Sequence, residues 1–142
     1  MDFGSAIKSG FKNTFNYNGR ASRSEFWWFY LFTILLVIAV FVLGGAIAGT
    51  MGGSDRSDTS NIIGAVIGIL FLLYFLAIFF PTLSLIIRRL HDSDKSGFFL
   101  LLAFIPFGGI VLLVFYCLPG TVGPNKYGPD PLARPASVAS VF

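Results

Sequence analysis

Charge is what this chain has least of. Only 12% of its 142 residues are Asp, Glu, Lys or Arg, while 55% are apolar and the mean hydropathy is +0.78. A soluble domain carries about 25% charged residues. So few charges do not cover the surface of a globule this size, and lipid is the cover that remains. Cysteine occurs once, as Cys117, which excludes a disulfide within the chain. Histidine also occurs once, as His91, and one His with one Cys excludes a His/Cys zinc site within one chain. Internal repeats and low-complexity tracts are missing. No cofactor, metal or nucleic-acid partner is expected.

What is abundant is long apolar sequence. Three runs, Phe26–Ala48, Ile62–Ile87 and Phe98–Leu118, contain no Asp, Glu, Lys, Arg or His. Each has the ~20 residues that a helix needs to cross ~30 Å of hydrocarbon. None has the polar face of a surface helix. The expected fold is therefore all-α: a polytopic membrane protein with three transmembrane helices over about 26–48, 62–87 and 98–118. Pro81 predicts a kink in the second. In the third, Pro106, Gly108 and Gly109 predict either a kink or a re-entrant hairpin, because proline removes a backbone donor and glycine loosens the chain. Ala46-Ile47-Ala48 has the form of a signal-peptidase site, but a signal core is 7–15 residues and this run is longer, so cleavage is not expected.

The segments outside the spans differ in character. Phe3, Ile7, Phe11 and Phe15 recur every fourth residue with Lys8 and Lys12 off that stripe. Residues 1–19 thus read as a short amphipathic helix and a turn, lying in the interface or packed on the bundle. Residues 20–118 form the transmembrane domain. Residues 119–142 are a tail whose Gly and Pro content predicts turns. Lys and Arg set orientation. Seven fall before the first span or between the second and third, and three fall in the first loop or the tail. The N-terminus is accordingly placed in the cytoplasm. Three full spans put the tail outside; a re-entrant third segment keeps it inside. Gly45 with Gly49, and Gly64 with Gly68, form two GxxxG pairs flanking the first loop. Such pairs let helix backbones approach closely, here in a tight hairpin or at a dimer face.

Two polar clusters adjoin the spans. Arg88-Arg89-Leu90-His91-Asp92 ends the second run. Cations there suit the helix macrodipole and its unpaired carbonyls, and Arg88 with Asp92 is an i,i+4 pair. Ser93, Asp94 or Ser96 can cap the next helix. The other cluster runs from Asn18 to Glu25, where Ser22 or Ser24 can cap the first span and Glu25 suits its positive end. Trp27, Trp28 and Tyr30 are interface anchors. The orientation puts both clusters at one leaflet, where Arg20, Arg23, Arg88, Arg89 and Lys95, with His91 and Asp92, form a candidate surface for anionic headgroups or a partner protein. Alternatively these cations are anchors with no specific ligand. Catalysis is not expected: a His-Asp neighbour pair alone lacks a converging nucleophile and oxyanion donors. Asp92 and Asp94 are too few for a calcium loop. No ionisable residue lies within a span, as an ion or proton path would require.

The ordered blocks FNYNGRASRSEFWWFYLF, IIRRLHDSDKSGFFLLLAFIP and GTVGPNKYGPDP resemble the DUF805 family, small bacterial inner-membrane proteins of unknown function. The likeness covers roughly residues 11–131. A G-R-x-x-R-x-E-[FY]-W block is matched by Gly19, Arg20, Arg23, Glu25, Phe26 and Trp27. An R-R-L-H-D block is matched by Arg88 to Asp92. A G-T-x-G-x-N-x-[FY]-G-P-D-P block is matched by Gly120, Thr121, Gly123, Asn125, Tyr127, Gly128, Pro129, Asp130 and Pro131. Two departures stand out: Phe98-Phe99 where the family usually has Trp-Trp, and Asp94 where many members have Gly. The resemblance implies a bacterial inner membrane and a shared polar face, but no reaction. If the third block joins the other two, the tail is cytoplasmic and the third segment re-enters. The expected role is a structural or accessory subunit, or an anionic-lipid-interacting protein, within a larger membrane complex or a homo-oligomer. The alternative is an oligomeric small-molecule transporter or channel.

Overall fold

The computed structural model describes residues 1–51 and 58–133. Arg56 in the first loop lies outside the described residues, as do Arg134 and the expected loose end Ala136–Phe142. The described chain is helical, with one isolated β-bridge between Asn125 and Gly128.

The first helix, α1, is Phe3–Lys12. Asp2 caps it by accepting the Ser5 N–H at 3.2 Å. Of the two placements open to this helix, the structure has it packed on protein. Ala6 and Gly10 are buried, and a β-carbon at Gly10 would lie 2.2 Å from the Phe29 ring. The aromatic stripe straddles that contact. Phe3 meets Trp28 and Phe32 edge-on, and Phe11 meets Phe29 and Phe32. Phe15 remains largely exposed. The buried Ser84 hydroxyl shares its proton between the carbonyls of Asn13 and Asn16, at 2.6 and 2.7 Å, and pins the end of α1 to the second long helix.

Two long helices follow, α2 at Arg23–Met51 and α3 at Asp58–Asp92. Ser22 caps α2 by accepting the Glu25 N–H at 3.2 Å. Both are long and apolar enough to cross a membrane. At 1.5 Å per residue the 35 residues of α3 reach about 52 Å, well beyond the ~30 Å of hydrocarbon. The surplus carries Arg88–Asp92 out of the apolar stretch. The helix continues through Pro81, which is fully buried. Among the described residues the two GxxxG pairs do not pack on each other: a β-carbon at Gly45, Gly49, Gly64 or Gly68 would meet nothing within 4 Å beyond its own helix backbone. α2 and α3 instead meet through larger side chains, Phe41 touching Phe71 among them.

The third apolar run is not one continuous helix. It forms a 3₁₀ segment, Gly97–Phe104, then α4, Gly108–Cys117, joined by a turn. The Gly108 N–H bonds to the Ile105 carbonyl at 2.9 Å, with Pro106 second in the turn and Phe107 third at φ 65°. Proline second and a left-handed third residue fit a type II turn. Gly108 is required by contact: a β-carbon there would stand 1.8 Å from the Leu102 carbonyl oxygen. The arms lie side by side, with Phe99 edge-on to Phe115 and the Lys95 ammonium over the Phe115 ring. Eight residues at about 2.0 Å and ten at about 1.5 Å give two arms of roughly 15 Å, half the hydrocarbon thickness. Both ends of this hairpin lie beside the C-terminal end of α3.

Candidate functional site

α3 ends in a Schellman cap. The Lys95 N–H bonds back to the Leu90 carbonyl and the Asp94 N–H to the His91 carbonyl, both at 3.0 Å, with Asp94 left-handed at φ 57°. This termination leaves Arg88, Arg89, His91 and Asp92 buried on the last turn. The preceding loop is tied to the same turn by the Ala21 N–H, which bonds to the Arg88 carbonyl at 3.0 Å and sets Arg20 beside Asp92.

Asp92 is the hub. Its Oδ1 accepts from Arg20 Nε at 2.9 Å and its Oδ2 from Arg89 Nη1. The expected Arg88–Asp92 pair is thus replaced by Arg89–Asp92. Arg88 turns to Glu25 at 3.2 Å, and Glu25 also accepts from the Ser9 hydroxyl at 2.8 Å. Arg89 is fully buried and uses all five of its N–H groups. Besides Asp92, it donates to the carbonyls of Tyr116 (twice, at 3.0 and 3.1 Å), Leu118 and Ala21. A guanidinium placed on Tyr116 and Leu118 closes the C-terminal end of α4, where unpaired carbonyls and the macrodipole favour a cation.

The tail completes the cluster. Arg20 donates to the Thr121 carbonyl at 2.5 Å and the Gly123 carbonyl at 2.6 Å. The Thr121 N–H bonds to the Asp92 carbonyl at 2.8 Å. Gly120 is pressed against the hub, since a β-carbon would lie 2.1 Å from Asp92 Oδ2. Asn125 Nδ2 donates to the His91 carbonyl and the Thr121 hydroxyl, each at 2.9 Å. Asp130 accepts the N–H groups of Leu132 and Gly123, and Arg20 stands 4.0 Å away. These contacts hold its carboxyl below the ordinary carboxylate range. The His91 ring stacks on Tyr127, centroids 3.8 Å apart and planes within 4°, with Nδ1 3.2 Å from the Gly19 carbonyl.

Three arginines (Arg20, Arg88, Arg89) therefore face three carboxylates (Glu25, Asp92, Asp130). They form a charge-balanced clasp joining the loop before α2, the end of α3, the end of the hairpin and the tail. Two expected members stay outside it. Arg23 is exposed and reaches the Cys117 carbonyl at 3.3 Å, and Lys95 lies on Phe115. Asp92 and Asp94 also part company: the former serves the two arginines, the latter faces Lys126 at 3.7 Å. Among the described residues no three His, Cys, Asp or Glu side chains gather as metal ligands. The partners that residue-by-residue reading overlooked are Tyr116 and Leu118, which offer Arg89 only backbone carbonyls. Thr121, Asn125, Tyr127 and Asp130 were signalled by the third sequence block.

The inner membrane protein YhaI of Escherichia coli (strain K12) is 45% identical over 121 residues, covering 84% of this chain and 89% of its own length. The inner membrane protein YhaH of the same strain is 39% identical over 125 residues, covering 87% and 93%. No solved structure matches. The profile of the protein family of unknown function DUF805 matches residues 14–129, a range that begins just after α1 and takes in nearly all of the clasp. Carrying that profile and all three polar blocks, the chain belongs to the DUF805 family.

Proposed function

We propose that this chain is a bacterial inner-membrane protein with two spanning helices and a re-entrant hairpin, and that it serves as a structural or accessory subunit, not as an enzyme. Its relatives are named inner membrane proteins. With α2 and α3 as the spans and the hairpin returning to its own side, nine of the ten Lys and Arg residues fall on one side and only Arg56 on the other. By the positive-inside rule that side, with the N-terminus and the clasp, is cytoplasmic. The observation that carries the accessory role is the self-sufficiency of the clasp. Among the described residues its arginines and carboxylates are spent on one another and on backbone carbonyls, save the buried Arg88 Nε, so its chemistry fastens the hairpin. The surface left for a partner is the apolar shaft of α2 and α3, where Leu35, Ile38, Leu72 and Leu73 among others are exposed.

Extraction of the tagged full chain from its own membrane in mild detergent tests this. The expected result is one defined membrane partner at fixed stoichiometry; repeated recovery of the chain alone would overturn it. The anionic-lipid reading narrows to Arg23, the one motif arginine with no carboxylate partner among the described residues, with Ser24 and Trp27 beside it in an open notch of about 400 Å³. Native mass spectrometry should find phosphatidylglycerol retained by the native chain and lost in Arg23→Ala. Unchanged retention would remove the lipid reading and leave the accessory one standing.

A further inference from the structure

Among the described residues, His91 leaves one ring nitrogen unused. A carbonyl only accepts, so the contact to Gly19 makes Nδ1 the N–H donor, and Nε2 of the neutral ring is then a bare acceptor. The stack on Tyr127 fixes the ring plane. Nε2 sits 3.7 Å from where a Gly97 β-carbon would be, at a cavity of about 350 Å³ that His91 shares with Tyr17, Ser96 and Tyr127.

Gly97 and Phe98 also belong to the wall of a second, larger cavity. This groove of about 660 Å³ runs between α2, α3 and the 3₁₀ arm and is almost wholly apolar. Two residues of its wall break that character. The hydroxyls of Tyr74 and Thr82 are buried and have no partner among the described residues. Thr33, on the facing helix, donates to the Tyr30 carbonyl at 2.7 Å, as such hydroxyls ordinarily do in an apolar setting. A buried hydroxyl with no acceptor is costly, so two in one groove point to an occupant. By helical rise Thr82 lies about 13 Å from His91 along α3, and Tyr74 about 25 Å.

We propose that the two cavities form one site for a single-chain, hydroxyl-headed lipid of isoprenoid type. The head hydroxyl donates to His91 Nε2. The chain passes Gly97 and lies in the groove, where its double bonds face the Tyr74 and Thr82 hydroxyls as weak π acceptors. A saturated chain fills the same volume and offers those hydroxyls nothing. Both cavity volumes fall within the range of ordinary ligand sites. The proposal goes beyond the accessory role and needs only that α2 and α3 lie in a bilayer.

The test uses the full chain in nanodiscs of saturated phosphatidylcholine. The probes are geranylgeraniol, its methyl ether and its fully saturated analogue, with retention read by native mass spectrometry. The native chain should hold the alcohol about tenfold more tightly than the ether, one hydrogen bond's worth, and about threefold more tightly than the saturated alcohol. His91→Phe should erase the first preference. Tyr74→Phe with Thr82→Val should erase the second without lowering the unfolding temperature. The preferences of the native chain keep the test decisive if the His91 variant does not fold. Equal retention of all three probes would mean that bulk lipid fills the groove, and a dimer that excludes them would mean that a second copy does; either overturns the proposal.

Discussion

Asp92 decides most of what holds this molecule together at the level of single residues. Its two oxygens are shared by Arg20 and Arg89, both nearly or fully buried. Removing one partner from a buried pair leaves the other charge uncompensated, at about 3–5 kcal/mol. Asp92→Asn should therefore lower the unfolding temperature in detergent far more than Asp94→Asn, since Asp94 faces only an exposed lysine. Arg89→Lys should also be severe. Lysine has three donors where Arg89 uses five, and it does not span Tyr116, Leu118 and Ala21 together. Asp94 behaves in the opposite sense. It occupies the left-handed position of the Schellman cap, where glycine carries no β-carbon penalty. Asp94→Gly should raise stability by about 1 kcal/mol, read as an upward shift in the same melting curve.

The hairpin and the tail are elements that fold because something else receives them. The hairpin tip needs Gly108 against the Leu102 carbonyl, so Gly108→Val should force the arms apart. A cysteine pair at Phe99 and Phe115 should cross-link readily in the native chain and poorly in that variant. The tail depends on Asp130. Its carboxyl is held below the ordinary value of 3.8 by the N–H groups of Leu132 and Gly123 and, less strongly, by Arg20. A carboxyl with a lowered folded-state pKa adds stability above the unfolded value and loses it as pH falls through the folded one. Pepsin cleavage in the tail should accelerate as pH drops below 3.8, and Asp130→Asn should flatten that dependence. The helices and their caps were legible in sequence: the apolar runs, Ser22, and the Pro-Gly break all act over a few residues. What was not legible is pairing across long separations. Arg88 lies four residues from Asp92 yet pairs with Glu25, 63 positions away, because burial between segments outweighs an exposed i,i+4 contact. The four glycines at GxxxG spacing illustrate the same limit: spacing permits close packing, but within the described chain the facing helix does not meet them.

At the scale of the whole molecule, the clasp and the hairpin are one feature. The third polar block reaches the other two only if residues 97–118 turn back at Pro106, and the turn is held only while Arg89 and Arg20 grip Leu118, Thr121 and Gly123. Two long helices with exposed shafts then stand below a charge-balanced cap. The resemblance among relatives made that meeting thinkable from sequence, since three polar blocks separated by apolar runs belong together most simply on one face. The most direct measurement is the side of the membrane reached by the tail, using a paired cytoplasmic-fluorescence and periplasmic-phosphatase reporter fused after Phe142. The account predicts fluorescence without phosphatase activity, on the same side as a reporter at the N-terminus. Phosphatase activity at Phe142, with the N-terminus still cytoplasmic, would contradict it.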